Sequence, residues 1–261
     1  MARKEDRIAV FDSGVGGISV LRELMAVLPQ EKYLYYGDCA NAPYGTRSTQ
    51  EVKELTLAAA QMLFSRGIKA LVVACNTATA AAIGDLRQKY PDKIIVGIEP
   101  ALKLAADHFP TARVGVLATP VTLREEKFAH LQERFPQMSV TSIPLPGLVA
   151  RIEAGETADQ LEAFLLPTLA PYAGKLDAVV LGCTHYPLIK PVFRKLFGSQ
   201  TTLLDGGRGT AMQTKRRLGE AGLLWDGPGE LQLESSSPEA AVLCRFQELI
   251  EETNENGKHY F

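Results

Sequence analysis

The sequence predicts an α/β protein with two similar domains, each built on a mostly parallel sheet that is flanked by helices. Short apolar runs alternate with segments whose apolar residues recur at helical spacing, as in strand-helix-strand units. Two of these runs, residues 69–77 and 176–185, also follow one plan: a buried strand, a small residue, a cysteine and then polar side chains. The sequence therefore indicates one supersecondary plan that is used twice.

The first copy of the plan occupies roughly the first hundred residues. A strand at 7–11 runs into the glycine-rich turn 12–17, and helical spacing of apolar residues follows. The loop 37–46 is too rich in Gly, Pro and Asn to be regular structure, and Ser48 or Thr49 can cap the next helix. An alanine-rich helix is predicted from about Thr79. The remaining predicted strands of this copy are 32–36, the run that leads to Cys75, and 94–98.

The second copy repeats the first at an offset of about 106 to 108 positions. Its first strand begins at Arg113, as the first copy begins near Ile8, and Cys183 corresponds to Cys75. Helices are predicted over about 120–134 and 158–169. Its other predicted strands are 139–143, the run that leads to Cys183, and 201–205.

The segment after residue 206 has no place in either copy. It predicts a helix over 210–219, a short strand over 231–234 and a last helix that Ser237 caps. Because the apolar faces of these elements must be covered, we expect them to return to the first half. The predicted domains are residues 1–98 plus 207–261, and residues 99–206, with a ligand cleft between them.

Composition points to a small-molecule partner. The 261 residues include 28 Lys plus Arg against 30 Asp plus Glu, and a net charge of -2 gives no electrostatic case for nucleic acid or an anionic membrane. No apolar run approaches the roughly 18 residues that span a bilayer, and no signal sequence is recognisable. The four cysteines lie far apart without a C-x-x-C pair, so we expect reduced thiols in the cytoplasm and no zinc site.

The paired cysteines suggest the chemistry. Parallel sheets bind ligands at the carboxyl ends of their strands, where Cys75 and Cys183 are placed. Two thiols on opposite sides of one ligand suit inversion of a stereocentre, in which one base takes a proton and one acid returns it to the other face. Cys183 and His185 could instead form a metal pair or a nucleophile and base, but no further Cys or His cluster completes a zinc site. The remaining cysteines, Cys39 and Cys244, are interpreted as small hydrophobic residues, and His108, His130 and His259 as structural or solvated.

Four motifs extend this interpretation to a family. Residues 11–17, 43–45, 74–77 and 181–187 together resemble, in order and spacing, the cofactor-independent aspartate/glutamate racemase family. The resemblance implies two domains related by a pseudo-two-fold axis, with glutamate enclosed between them and its L and D forms interconverted. D-Glutamate would serve peptidoglycan synthesis. The resemblance also implies a homodimer and no cofactor, and nothing in the sequence marks a pyridoxal-phosphate lysine.

The resemblance assigns roles to individual residues. Cys75 would take the α-proton of D-glutamate with help from Asp12, and Cys183 that of L-glutamate with help from His185. Glu153 resembles a further acidic residue of the family's site. The positions that would bind the substrate, beside Asp12 and His185, are Ser13, Tyr44, Gly45, Asn76, Thr77 and Thr184.

Two alternatives accompany this prediction. The thiols are indifferent to side-chain length, so the substrate could be aspartate or another acidic amino acid. The fold could also serve as a non-catalytic binding protein, for example one that acts on DNA gyrase. Because the Asp12 motif begins almost at the amino terminus, we expect none of the activation by a cell-wall precursor that relatives with a longer extension show.

Overall fold

The computed structural model describes residues 2–98, 101–124 and 133–251. The strands are β1 (Ile8–Asp12), β2 (Lys32–Gly37), β3 (Ala70–Val73), β4 (Ile94–Gly97), β5 (Arg113–Ala118), β6 (Ser139–Pro144), β7 (Ala178–Leu181), β8 (Thr202–Asp205) and β9 (Glu230–Ser235). The α-helices are α1 (Ile18–Val27), α2 (Thr49–Ser65), α3 (Asn76–Lys89), α4 (Leu102–His108), α5 (Pro120–Arg124), α6 (Leu148–Glu153), α7 (Ala158–Leu169), α8 (Lys190–Phe197), α9 (Gly207–Glu220) and α10 (Ala240–Glu251).

The chain divides into two compact units. Unit 1 contains Met1–Ile98 and Gly207–Phe261, and unit 2 contains Glu99–Gly206. Unit 1 has a parallel sheet of order β4-β3-β1-β2-β9, so the segment after residue 206 adds the edge strand β9 beside β2. Unit 2 has a parallel sheet of order β6-β5-β7-β8.

The two sheets confirm the α/β prediction and show the repeat in their topology. When β5 to β8 are taken as counterparts of β1 to β4, both sheets have the same strand order, and β9 has no counterpart among the described residues of unit 2. The central strands β3 and β7 are buried along their whole length. Such apolar strands are typical of parallel sheets that helices cover on both faces.

Local signals explain the start of two helices, α2 and α7. Ser48 begins α2 with a capping box: its hydroxyl accepts from the Glu51 N–H while the Glu51 carboxylate accepts from the Ser48 N–H. Thr157 and Gln160 begin α7 in the same way. The prediction for α3 was wrong by three residues, because this helix begins at Asn76 and not near Thr79.

Several other expectations also need correction or fall outside the described residues. The loop after β2 contains two short 3-10 helices, Cys39–Asn41 and Tyr44–Thr46, on either side of a cis Ala42-Pro43 bond. Cys244 is exposed on α10 and is not a buried hydrophobic residue. Beyond α5, the helix expected over 120–134 lies largely outside the described residues, as do His130 and His259. Among the described helices, none is both long enough and apolar enough to cross a bilayer.

Candidate active site

In unit 1, three neighbouring strands end at one edge of the sheet with polar side chains. Asp12, the last residue of β1, lies opposite Gly37 of β2, and the Asp38 N–H donates to the Asp12 carbonyl at 2.9 Å. On the other side, the Ala74 N–H donates to the Phe11 carbonyl at 2.8 Å. The strand pairing therefore brings Asp12, Asp38 and Cys75 to the carboxyl edge, where parallel sheets bind ligands.

Cys75 occupies the N-cap position of α3. Its sulfur accepts a hydrogen bond from the Ala78 N–H at 3.5 Å, and its thiol donates to Ser13 Oγ at 3.6 Å. The Cys75 residue is buried. A sulfur at a helix N-terminus lies in a positive electrostatic field, which favours the thiolate form. The sulfur also explains the early start of α3, because it satisfies an N–H group that has no partner inside the helix.

The glycine-rich turn after β1 allows close packing around Asp12. The carboxylate is fully buried, and its Oδ1 accepts from the Gly14 N–H at 3.0 Å. A Cβ atom at Gly17 would lie 2.5 Å from the Asp12 Cβ, so this position requires glycine. The turn therefore sets the positions of Asp12 and Ser13 relative to Cys75.

Tyr44 and Asp38 form a buried pair beside these groups. Tyr44 Oη donates to Asp38 Oδ2 at 2.6 Å, and the Asn41 amide donates to both oxygens of the same carboxylate. Burial raises the pKa of Tyr44 above its ordinary value, and the hydrogen bond to Asp38 raises it further, so the phenol stays neutral. Gly45 follows in the same 3-10 turn. Asp38 was missed from sequence, although it follows β2 as Ser13 follows β1.

Asn76 and Thr77 are buried in the first turn of α3. Within the part of the chain that the structure describes, neither Oδ1 nor Nδ2 of Asn76 has a hydrogen-bond partner. A buried amide without partners costs free energy, on the order of 1–3 kcal/mol for each polar group. Asn76 therefore offers a donor and an acceptor next to Cys75 that a ligand could satisfy.

In unit 2, Cys183 follows β7 after a single glycine. The Gly182 N–H donates to the Leu117 carbonyl at 2.7 Å, and a Cβ atom at Gly182 would lie 2.9 Å from that oxygen. Cys183 Sγ lies 3.8 Å from His185 Nδ1, and His185 Nε2 lies 2.9 Å from Glu153 Oε1. The structure thus joins Cys183, His185 and Glu153, from the end of α6, in one hydrogen-bonded series.

The imidazole of His185 is held in its charged form. Complete burial lowers the pKa of His185, but the hydrogen bonds to Cys183 and Glu153 and the negative charges of both outweigh burial and raise it to about 10. An imidazolium next to a thiol favours the thiolate. Within the described ranges, no group of three or more His, Cys, Asp and Glu side chains is arranged to hold a metal ion.

Hydroxyl groups complete this edge of unit 2. Thr184 is buried between Cys183 and His185. Thr119 follows β5, the strand beside β7, and its Oγ1 lies 3.0 Å from Thr122 Oγ1 at the start of α5. Both threonines are buried. They were missed from sequence, yet Thr119 follows β5 much as Ser13 follows β1, so the repeat contained the signal.

Comparison with known proteins places the chain in a family. Residues 18–214 match the Asp/Glu/Hydantoin racemase family. Glutamate racemase of Clostridium perfringens is 42% identical over 95% of this chain and 97% of its own. The structure of Thermus thermophilus glutamate racemase in complex with β-chloro-D-alanine matches with a TM-score of 0.82 and 32% identity over 95% of this chain and 94% of its own. Francisella tularensis glutamate racemase in complex with D-glutamate matches with a TM-score of 0.83 and 26% identity over 97% and 96% of the two chains.

The family match spans parts of both units and includes the motifs at 43–45, 74–77 and 181–187. The relative from Clostridium perfringens exceeds 30% identity over almost the whole length, and the family match covers most of the chain. The strand-end cysteines follow β3 and β7 within this span. The chain belongs to the Asp/Glu/hydantoin racemase family.

Proposed function

We propose that this protein interconverts L-glutamate and D-glutamate by transferring the α-proton between two thiols, without a cofactor. The carrying observation is the equivalent placement of Cys75 and Cys183 at the ends of the corresponding strands β3 and β7, each thiol buried and hydrogen-bonded. The names of the relatives from Clostridium perfringens and Thermus thermophilus support glutamate as the substrate. The product D-glutamate would supply peptidoglycan synthesis.

In the direction from D to L, Cys75 acts as the base. Its thiolate, favoured by the N-terminus of α3, takes the α-proton, and the Cys183 thiol returns a proton to the opposite face. Ser13 holds the Cys75 sulfur in position, and Asp12 assists this thiol. The negative charge that develops at the α-carbon needs stabilisation by hydrogen-bond donors at the site.

In the direction from L to D, the roles are reversed. Cys183 acts as a thiolate beside the His185 imidazolium. The Nε2 group of His185 is hydrogen-bonded to Glu153 Oε1. The charge on His185 stabilises the thiolate before proton transfer, and Cys75 then acts as the acid. Glu153 in this reaction is a positioning residue, because it acts on Cys183 through His185.

Polar groups at the two strand ends hold the substrate. The amide of Asn76, which has no hydrogen-bond partner among the described residues, suits a carboxylate and an ammonium group at once, since it offers both a donor and an acceptor. The hydroxyls of Thr77 and Thr184 and the backbone at Tyr44 and Gly45 add further donors. Hydroxyls and N–H groups at helix starts are suitable partners for carboxylates.

The proposed chemistry needs reduced thiols, and none of the four cysteines, all within the described residues, forms a disulfide. The protein would therefore work in the cytoplasm, where thiols stay reduced. A homodimer is part of the proposal, because the family resemblance implies one. Cell fractionation and sedimentation velocity test these two statements.

The decisive experiment is incubation of the purified protein with L-glutamate in D₂O, with no cofactor added. Loss of optical rotation together with loss of the α-proton signal would establish racemisation by proton exchange. The double variant Cys75→Ser, Cys183→Ser should abolish both changes, whereas Cys244→Ser, on the exposed face of α10, should leave both intact.

Other outcomes separate the alternatives. Exchange with L-aspartate but not with L-glutamate would keep the mechanism and contradict the substrate. The absence of exchange with any acidic amino acid would contradict the two-thiol mechanism and favour a binding function.

A further inference from the structure

Tyr35 makes a hydrogen bond to the turn that follows β1. Its phenol donates a hydrogen bond of 2.6 Å to the Gly14 carbonyl oxygen. The Gly14 N–H donates to Asp12 Oδ1 at 3.0 Å, so both backbone groups of Gly14 are engaged. A Cβ atom at Gly17 would lie 2.9 Å from Tyr35 Oη, which shows that the phenol also packs against the far end of the turn. Tyr35 therefore contacts the turn that carries Asp12 and Ser13 at two points.

The ring of Tyr35 is itself fixed by the segment that returns to unit 1. Phe246 of α10 packs edge-to-face on it, with ring centroids 5.0 Å apart and an interplanar angle of 83°. Both side chains are fully buried. A Cβ atom at Gly37 would lie 2.7 Å from Phe246 Cζ, so the helix approaches the end of β2 closely. Tyr35 has little freedom to move away from Gly14.

We propose that Tyr35 is a positioning residue for the half-reaction at Cys75, an inference that rests on the proposed function. The Cys75 thiol reaches Ser13 Oγ at 3.6 Å, and this geometry depends on the turn that Tyr35 holds. Displacing groups in an active site by about 1 Å can cost on the order of a hundredfold in rate. Removing the phenol oxygen should therefore impair proton transfer at Cys75 and leave the chemistry at Cys183 intact.

The chain offers a matched control on the same strand. Tyr33 lies two residues before Tyr35 on β2, is also buried, and donates to the carbonyl oxygens of Leu24 and Leu28 at 3.0 and 2.9 Å. Tyr35→Phe and Tyr33→Phe remove the same atom from the same kind of hydrogen bond. Both should lower the melting temperature by a few degrees. Only Tyr35→Phe removes a contact to the turn beside Cys75.

Kinetic isotope effects then assign the defect to one thiol. For Tyr35→Phe we expect kcat/KM to fall about tenfold in both directions, because a racemase cannot change an equilibrium constant of one. The primary isotope effect should rise with α-deuterated D-glutamate, whose proton Cys75 removes, and fall with α-deuterated L-glutamate. Tyr33→Phe should leave both isotope effects at the wild-type values. Equal isotope effects in the two variants would overturn the proposal.

A second measurement needs no substrate. The rate at which iodoacetamide alkylates Cys75, followed by mass spectrometry across pH, reports the thiolate and its surroundings. A shifted profile in Tyr35→Phe, with an unshifted one in Tyr33→Phe, would support the positioning role. Identical profiles would contradict it. If the wild-type protein racemises no amino acid, the proposed function fails, and this comparison still decides whether Tyr35 positions the Cys75 thiol.

Discussion

The two units place a cysteine at the same point of the same strand order and surround it with different groups. In unit 1, Cys75 caps α3 and contacts the Ser13 hydroxyl. In unit 2, Cys183 contacts His185, which Glu153 holds at 2.9 Å. The topology of a repeat thus fixes where a reactive group lies, while residues that differ between the two copies determine how that group is stabilised. If the two thiols act on opposite faces of one carbon, as proposed, different groups would assist proton transfer at each face.

The units also differ in what supports the site. Unit 1 has the extra strand β9 and the helix α10, and Phe246 of that helix packs behind Tyr35. Ser236, just after β9, accepts from the Ala40 N–H at 2.9 Å in the loop that carries Tyr44. Unit 2 relies on a side-chain series that reaches α6. The returning segment therefore does more than cover an apolar face, since it holds two loops of the first strand-end site.

The largest expected effect comes from the thiols themselves. Cys75→Ser and Cys183→Ser should each lower kcat/KM for glutamate by about 10³-fold or more, because a serine hydroxyl is a much weaker acid than a thiol and forms almost no alkoxide base at neutral pH. Steady-state racemisation assays in both directions measure this. Cys39→Ser and Cys244→Ser serve as controls and should stay close to wild type. A mild effect at either strand-end cysteine would break the equivalence of the two units.

Substitution of the assisting groups Asp12 and His185 should lower kcat/KM less than substitution of the thiols, and each variant should raise a different isotope effect. Asp12→Asn and His185→Gln should each lower kcat/KM by about 10²-fold. Asp12→Asn should raise the isotope effect with α-deuterated D-glutamate, whereas His185→Gln should raise the effect with α-deuterated L-glutamate. Competition experiments with deuterated substrates measure both. If the two variants change the same isotope effect, the assignment of one thiol to each face is wrong.

Strand and repeat patterns in the sequence predict the features that the two units share. The run that ends at Cys183 predicts both a buried strand and a reactive group at its end, because period and position follow from local sequence. The contact between His185 and Glu153 cannot be predicted from local sequence, since these residues are 32 positions apart and meet only through packing. The same applies to the Tyr35 contact with Gly14. The start of α3 was also missed, because cysteine is not among the preferred N-cap residues.

The charged His185 in unit 2 should make the free energy of unfolding depend on pH. Its pKa is raised from 6.5 to about 10 in the folded protein, because the hydrogen bonds to Cys183 and Glu153 outweigh burial. A raised pKa contributes stability that is fully present below about pH 6.5 and lost as the pH rises through about 10. His185→Gln should therefore reduce the free energy of unfolding by about 2 kcal/mol at pH 6, and by less at each higher pH. Urea denaturation of both proteins from pH 6 to 10 measures the difference.

Asp12→Asn provides the control for that measurement, because it alters unit 1 and keeps the imidazolium. Its destabilisation should show no matching decline between pH 6.5 and 10. A loss in His185→Gln that is constant across this range would contradict the charged state of His185.

The smallest expected effects come from two matched helix caps, which test whether the units are stabilised independently. Ser48 caps α2 in unit 1 and Thr157 caps α7 in unit 2, each through a capping box in the helix between the second and third strands of its repeat. Ser48→Ala and Thr157→Ala should each cost about 1 kcal/mol of stability and leave kcat unchanged. Amide hydrogen exchange should show faster opening in β1 and β3 for the first variant and in β5 and β7 for the second. If either substitution accelerates exchange equally in all four strands, the two units unfold as one cooperative body, because a local loss would then be shared by the whole chain.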